Sequence, residues 1–289
     1  LGDRAIGICD SPSGLCRRVA AALGRPADEL WFDYFGLNHL GWLKGVHDGD
    51  RDLLPGLLAD DALLQGFEEG RLFGGDWLRS LGMVPNEYLY YFYYAAETVD
   101  AVRQSESSRG AYLLAQQREF YNHDGQSSEQ ALARWRSTRH DRERTYMAEA
   151  RLAAGDHADH QPGNSGYEAE AIALMQAIAF NTRATLILNT ANRSSLPFLD
   201  ERAVVEVPNT VGKAGPVPVA MGSVPAHAKA LVETMKDIER RTIEAALSRS
   251  SEQAIAALAL HPLVPSVRTA RAIFDGYRAR LPELQEEFS

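Results

Sequence analysis

The chain has 289 residues and a formal net charge of −9, with 45% hydrophobic and 24% charged residues, which is typical of a globular protein. The acidic balance, without a basic stripe, argues against nucleic acid or an anionic membrane as a partner, and no apolar run approaches the length of a membrane span. The two cysteines, Cys9 and Cys16, are too few for a disulfide scaffold, so we expect a reducing, cytoplasmic location.

The chain is predicted to begin with a buried strand over residues 5–9, followed at once by a helix. Ser11 and Pro12 are typical of a helix start, and apolar residues recur at helical spacing beyond them. This order places Cys9 and Asp10 at the carboxyl end of a strand, where open α/β sheets bind ligands.

The remaining pattern predicts an α+β fold that is rich in helices and has a small sheet. Residues 155–166 and 208–225 are predicted to be irregular. Strands are predicted over 30–35, 37–46, 184–188 and 203–207. Helices are predicted over 53–70, 77–81, 87–120 with an interruption near 104–110, 127–152, 167–180, 226–248, 252–260 and 267–280.

Cys9 and His39 are candidate metal ligands, because a thiolate and an imidazole suit a transition-metal ion. Two protein ligands would leave open positions for substrate and water, as catalytic metal sites require. Each residue alone is more often structural, Cys9 as a small buried apolar residue and His39 as a core histidine. His157 and His160 resemble a metal-binding tract, but their polar surroundings favour a loop.

Tyr88 is a candidate base within a run of aromatic residues, although such a run usually packs in a core or an interface. A free tyrosine has a pKa near 10, so a nearby cation must favour its phenolate form. A metal held by Cys9 and His39 would supply that cation. Tyr90 and Tyr91 are the neighbouring alternatives.

Asp10 and Arg109 are further candidates with ordinary alternatives. Asp10 either caps the first helix or presents a carboxylate to the site. Arg109 follows Ser107 and Ser108, and hydroxyl groups beside a guanidinium suit a phosphate or a carboxylate. A solvated arginine at a helix start explains the same spacing equally well.

Several blocks of the sequence, taken together and in order, resemble glycoside hydrolase family 4, in the branch of 6-phospho-β-glucosidases. The resemblance covers nearly the whole chain. It is carried by residues 6–10 (IGICD), 36–40 (GLNHL), 85–91 (PNEYLYY), 188–192 (LNTAN), 196–197 (LP), 205–208 (VEVP), 242–245 (TIEA) and 261–263 (HPL).

The resemblance implies the carboxy-terminal half of the lactate dehydrogenase and family 4 type of fold. Residues 1–10 would then be the last strand of an NAD-binding Rossmann domain, and residues 11–289 the metal- and substrate-binding domain. The glycine-rich turn of a Rossmann domain is absent from the sequence. We therefore expect a fragment that is inactive alone, from an enzyme that forms dimers or tetramers.

The resemblance also implies an NAD-dependent elimination, outside the usual two-carboxylate scheme of glycosidases. NAD⁺ accepts a hydride from C3 of the sugar, a tyrosine removes the C2 proton, and a divalent metal, typically manganese, stabilises the enolate. The substrate would be a phosphorylated disaccharide or an aryl glucoside. Cys9 and His39 would bind the metal, Tyr88 would be the base, and Asn38 and Arg109 would contact the substrate.

Asp10 departs from the branch that the other blocks favour. The 6-phospho-β-glucosidases usually have asparagine after the cysteine, whereas related α-glucosidases tend to have aspartate. Asp10 would then assist the leaving group as an acid, so a 6-phospho-α-glucosidase is an alternative. Two non-catalytic alternatives also stay open, namely a stand-alone sugar-phosphate-binding domain and an oligomerisation domain.

Overall fold

The computed structural model describes residues 5–105, 107–122, 127–155 and 166–288. The chain divides into two compact units. Unit I comprises Leu1–Cys9, Asp33–Leu43 and Ile172–Ser289, and unit II comprises Asp10–Phe32 and Lys44–Ala171. The α+β class is confirmed, since helices predominate and the described strands form one small sheet.

The described strands form one sheet in the order β3-β2-β1-β6-β5, with β4 beside β2 and β7 beside β6. The pairs whose register is defined are antiparallel, and β5 and β6 form the longest of them. The strands are β1 (Trp31–Leu37), β2 (Leu40–Asp48), β3 (Arg51–Asp52), β4 (Val84–Pro85), β5 (Ala184–Ala191), β6 (Val204–Gly212) and β7 (Gly215–Pro218).

The helices account for most of the remaining described residues, with short 3₁₀ turns at Ala27–Glu29 and Glu87–Leu89. None of them, within the described ranges, is long and apolar enough to cross a membrane. They are α1 (Ser11–Ala22), α2 (Leu54–Ala59), α3 (Asp61–Gln65), α4 (Glu68–Phe73), α5 (Gly75–Leu81), α6 (Tyr90–Tyr93), α7 (Ala95–Gln104), α8 (Arg109–Tyr121), α9 (Ser128–Arg144), α10 (Ala148–Ala154), α11 (Tyr167–Phe180), α12 (Ala226–Ser248), α13 (Ser251–Leu260), α14 (Val267–Arg278) and α15 (Pro282–Glu287).

The segment predicted as the first strand is less regular than expected. Gly7 forms one isolated antiparallel bridge with Asn189 of β5, and residues 8 and 9 lie outside any strand. Ile6 and Ile8 pack against a buried cluster of unit I that includes Leu174 of α11. Apolar packing therefore holds residues 5–9 within unit I, although the segment contributes a single β-bridge, at Gly7.

The predicted helix over 127–152 is broken in the structure. Helix α9 ends at Arg144 and α10 begins at Ala148, with Met147 in the left-handed region at φ 48°. Arg151 Nη2 donates to the carbonyl oxygens of Arg144 (2.9 Å) and Tyr146 (2.6 Å). These bonds satisfy carbonyl groups that an unbroken helix would have paired internally.

The stretch predicted as irregular over 208–225 also contains regular structure. Strand β6 continues to Gly212, and β7 pairs back on it from Gly215, whose φ is 89°. Pro216 and Pro218 within β7 lack a main-chain N–H, which limits this strand to the short pairing with β6 that the structure shows.

Candidate active site

Cys9 is buried in unit I, and Asp10 begins unit II as the residue that precedes α1. The main-chain oxygen of Asp10 accepts from the Gly14 N–H (2.8 Å) and the Ser13 hydroxyl (3.1 Å). The Asp10 side chain makes no capping hydrogen bond and is half-buried. The alternative that the Asp10 side chain caps the first helix is therefore wrong.

Asn38 and His39 form the turn between β1 and β2. His39 has a φ of 62°, an uncommon conformation for a residue with a side chain. Gly36 has a φ of 151°, and a Cβ there would lie 2.2 Å from the Leu40 carbonyl oxygen. Only glycine fits this close approach, so Gly36 determines the shape of the turn that carries Asn38 and His39.

A row of paired residues connects the segments that carry the two proposed metal ligands. Gly7 pairs with Asn189, Asn189 with Glu206, and Glu206 with Gly36. The Glu206 carboxylate is fully buried and accepts from Asn189 Nδ2 (2.9 Å) and the Tyr34 hydroxyl (3.0 Å). This buried carboxylate has no local signal in the sequence, because its partners lie on separate strands.

Cys9 and His39 lie in the same compact unit, shortly after Gly7 and Gly36. Three successive antiparallel pairings make residues 5–9 run opposite to β1. Cys9 and His39 can therefore bind one ion together only if the chain departs from extended strand pairing after Gly7 and again after Gly36. The chain does so, since Cys9 lies outside any strand and His39 lies in a turn. Thiolate and imidazole together fit a divalent transition-metal ion. The joint assignment stays a prediction.

Among the residues that the structure describes, no three His, Cys, Asp or Glu side chains are grouped so that they could hold a metal. A metal at Cys9 and His39 would therefore depend on non-protein ligands for most of its coordination. His157 and His160 lie outside the described residues.

Exposure separates Tyr90 from the other two tyrosine candidates. Tyr88, in the 3₁₀ turn Glu87–Leu89, is half-buried, and so is Tyr91 in α6. Tyr90 is buried and stacks on Tyr94 with ring centroids 4.6 Å apart. Burial raises the pKa of Tyr90 to about 12, which makes it a poor base at neutral pH.

The hydroxyl group of Tyr146 donates a hydrogen bond to the hydroxyl oxygen of Tyr88. The two rings meet edge to face, with centroids 6.2 Å apart. Tyr146 lies in the break between α9 and α10, within unit II. Tyr146 was not among the candidates from the sequence, which predicted an unbroken helix at this position.

A buried network of charges lies next to Tyr88 in the sequence. Glu69 and Glu87 are buried, and Arg18 binds the Glu69 carboxylate through Nε (3.1 Å) and Nη2. Arg18 Nη2 also lies 4.0 Å from Glu87, which accepts from the Ser11 hydroxyl at 2.6 Å. Burial of such charges is compatible with a stable fold only if each charge is compensated by a partner.

Glu68 precedes this network on α4 and is itself buried. Burial, together with the charges of Glu69 and Glu87, raises the pKa of Glu68 from 4.5 to about 7, although Arg18 and Arg151 oppose this effect. Burial also raises the pKa of Glu87. No local pattern indicated these buried carboxylates, because two glutamates in a first helical turn are usually solvated.

Arg109 begins α8 in unit II and is half-buried. Its guanidinium group donates to the Thr145 hydroxyl and to the Arg142 carbonyl oxygen (2.9 Å), and it lies 5.5 Å from the centre of the Tyr112 ring. A phosphate bound at Nη1 or Nη2 would therefore replace or share these contacts. The role of Arg109 as an anion clamp stays a prediction.

Residues 34–264 match the sequence model of the family 4 glycosyl hydrolase C-terminal domain. This match covers well over half of the chain and includes Asn38, His39, Tyr88 and Arg109. The chain therefore belongs to glycoside hydrolase family 4, as the motif blocks predicted.

The chain is similar to the 6-phospho-alpha-glucosidase of Leptotrichia buccalis, with 26% identity over 286 residues that cover 93% of this chain and 59% of the relative. The maltose-6'-phosphate glucosidase of Bacillus subtilis is also 26% identical, with 58% of its length covered. This chain thus spans about three fifths of the curated relatives that it matches.

Two solved structures show the same fold. The 6-phospho-beta glucosidase from Thermotoga maritima, solved with manganese, NAD⁺ and glucose-6-phosphate, has a TM-score of 0.74 at 23% identity, with 98% of this chain and 60% of that chain covered. A 6-phospho-alpha-glucosidase from gut microorganisms, in complex with NAD and Mn²⁺, has a TM-score of 0.71 at 23% identity, with 96% and 61% covered.

Proposed function

We propose that this chain is the substrate- and metal-binding part of an NAD- and divalent-metal-dependent 6-phosphoglucosidase. Its redox cofactor would be bound mainly by a dinucleotide-binding domain that residues 1–10 complete, with residues 11–289 forming the catalytic part. The proposal is supported by family membership and by the ligands bound in structures of relatives, which include NAD, manganese and glucose-6-phosphate.

The observation that carries the proposal is the exposure of Tyr88. A general base must reach its substrate, and the Tyr88 side chain is half-buried rather than buried. Its hydroxyl oxygen accepts a hydrogen bond from Tyr146, which favours the phenolate form. The neighbour Tyr90 is buried, which argues against it as the base. Tyr91 is half-buried like Tyr88, so the position in the motif, and not exposure, favours Tyr88 over Tyr91.

The remaining side chains take complementary roles in the proposed reaction. Tyr88 removes the proton at C2 of the sugar, and Asp10 protonates the leaving oxygen at C1. Asn38 binds a sugar hydroxyl group, and Arg109 binds the 6-phosphate. Cys9 and His39 are the residues that would bind Mn²⁺ or another divalent metal. When bound, NAD would supply reversible oxidation at C3, and the metal would polarise the sugar oxygens.

The proposed substrates are 6-phospho-β-glucosides, either disaccharides or aryl glucosides, because the motif blocks favour that branch. A 6-phospho-α-glucosidase is the second candidate. Asp10 favours it, since aspartate after the cysteine resembles the α-glucosidases, and so do the two curated relatives described above. We further propose a cytoplasmic homo-oligomer with no nucleic-acid or membrane partner.

The test uses this chain joined to a dinucleotide-binding domain, with NAD⁺, Mn²⁺ and the two anomers of an aryl 6-phosphoglucoside. Release of the phenol from one anomer identifies the specificity. Turnover in D₂O should place deuterium at C2 of the product, because the C2 proton is lost and replaced in an elimination. Product without deuterium would contradict the elimination. Binding of glucose 6-phosphate without turnover of either anomer would favour a non-catalytic sugar-phosphate-binding domain.

A further inference from the structure

We propose that Tyr146 is a positioning residue for Tyr88, whose hydroxyl group holds the oxygen of the proposed base in place and stabilises its deprotonated form. This inference rests on the proposed function, because it assigns a partner to the base named there. It adds a residue from a part of the chain that the motif blocks do not include.

The contact between the two tyrosines is specific in its geometry. The Tyr146 hydroxyl donates to the Tyr88 oxygen, and the rings are nearly perpendicular, with an interplanar angle of 83°. An edge-to-face arrangement at 6.2 Å lies in the range that aromatic pairs prefer. The ring contact and the hydrogen bond therefore restrict Tyr88 together.

The main chain around Tyr146 is fixed by its own neighbours. Arg151, which is 9% exposed, donates from Nη2 to the Tyr146 carbonyl oxygen at 2.6 Å and to the Arg144 carbonyl oxygen at 2.9 Å. The next residue, Met147, is buried and has a φ of 48°. This irregular backbone both ends α9 and places Tyr146 against Tyr88.

Tyr146 is suited to act as a permanent donor. Burial, the nearby charge of Glu87, and donation to Tyr88 all raise its pKa well above the ordinary value of 10. The charge of Glu68 also raises the pKa of Tyr146. Arg151 contacts the main-chain carbonyl oxygen of Tyr146 through its Nη2. Tyr146 therefore keeps its proton at neutral pH, and Tyr88 is the member of the pair that can lose one.

A hydroxyl group that donates to an oxygen stabilises that oxygen more when it is charged. Hydrogen bonds to charged groups are about twice as strong as neutral ones. Without the Tyr146 hydroxyl, the Tyr88 phenolate loses this support. The pKa of Tyr88 should then rise by about one to two units.

The test compares Tyr146→Phe with the parent protein and with Tyr94→Phe. The Tyr94 hydroxyl donates to the Phe73 carbonyl oxygen at 3.0 Å, so this control also removes one phenolic hydrogen bond of unit II. In the chain joined to a dinucleotide-binding domain, Tyr146→Phe should lower kcat and leave KM within about twofold. The acidic limb of its kcat profile should move to higher pH by about one to two units, whereas Tyr94→Phe should leave the limb unchanged.

A second measurement does not depend on turnover. Titration of the chain labelled with ¹³Cζ-tyrosine gives the pKa of Tyr88 directly, with Tyr88→Phe used to assign its resonance. A rise of that pKa in Tyr146→Phe supports the proposal. If the pKa of Tyr88 and the pH profile are both unchanged in Tyr146→Phe, the proposal is overturned. A fall in kcat alone would not rescue it, because loss of a residue with only a structural role can also lower kcat.

The two hypotheses fail in different ways. If Tyr88→Phe turns over normally, Tyr88 is not the base and the proposed function is wrong at that residue. If Tyr88→Phe is inactive and Tyr146→Phe behaves like the parent, the base is supported and the role of Tyr146 is refuted.

Discussion

The buried carboxyl group of Glu68 makes the stability of the chain dependent on pH in a direction that can be worked out. Glu68 is 8% exposed, and its pKa is raised from 4.5 to about 7, first by burial and then by Glu69 and Glu87. The folded chain therefore holds the Glu68 proton more tightly than the unfolded chain. This favours folding fully below about pH 4.5, and the benefit is lost as the pH rises to about 7.

The perturbation is Glu68→Gln, which keeps the shape of the side chain and removes its charge. One pKa unit corresponds to about 1.4 kcal/mol, so a shift of this size makes the charged form roughly 3 kcal/mol less favourable in the folded state. We expect the variant to be more stable than the parent at pH 8, by at most about that amount. At pH 5 the difference should fall to about 1 kcal/mol, because Glu68 is then protonated in the folded chain while the unfolded chain is still mostly ionised at this position.

The assay is urea denaturation of the chain at pH 5 and pH 8, followed by tryptophan fluorescence and by circular dichroism. Glu119→Gln is the matched control, because Glu119 is exposed on α8 of the same unit. The control should give the same difference from the parent at both pH values. If Glu68→Gln is destabilised equally at both pH values, the burial of an unfavourable charge at this position is refuted.

Three further predictions concern other parts of the chain. Arg18→Met should lower the unfolding free energy by about 3 kcal/mol, because it leaves the fully buried Glu69 carboxylate without its cation; the neighbouring Arg17→Met should change it by less than about 1 kcal/mol in the same denaturation assay. Gly36→Ala should destabilise the β1–β2 turn and weaken Mn²⁺ binding in calorimetry, because a Cβ would lie 2.2 Å from the Leu40 carbonyl oxygen. Gly56→Ala in α2 is the control and should leave Mn²⁺ binding unchanged, because its Cβ would meet nothing within 4 Å. Tyr88→Phe should abolish turnover and leave Mn²⁺ affinity unchanged, and loss of metal binding in that variant would show that Tyr88 supports the site rather than the reaction.

The parts of the fold that the sequence predicted well are those governed by local patterns. Helices α11 and α12 have the predicted bounds, because α11 is rich in alanine, the strongest helix former, and α12 carries apolar residues at helical spacing. The sequence likewise predicted the family, since this depends on motifs that are contiguous along the chain, whereas the role of Tyr88 stays a prediction.

The break at Tyr146 was missed for a physical reason. Residues 140–150 contain no glycine or proline that would indicate an interruption. The helix ends because Met147 adopts a positive φ and Arg151 takes over two carbonyl groups. Such tertiary effects override helix propensity, which is a weak guide to a single residue.

The buried charges were missed for a related reason. Glu68 and Glu69 begin a short helix, a place where acidic residues are common and usually solvated. Arg18, which neutralises Glu69, lies 51 residues away along the chain. Pairing over such a distance leaves no trace in local spacing, and only the structure brings the two together.

Whether this chain holds the metal can be decided by calorimetric titration with Mn²⁺, with and without glucose 6-phosphate, in the parent chain and in Cys9→Ser. We predict that the chain binds Mn²⁺, that the sugar phosphate strengthens binding, and that Cys9→Ser weakens it because a hydroxyl group replaces a thiolate ligand. The same affinity in Cys9→Ser and the parent, or no binding even when glucose 6-phosphate is present, would contradict the claim that this chain holds the metal and substrate site.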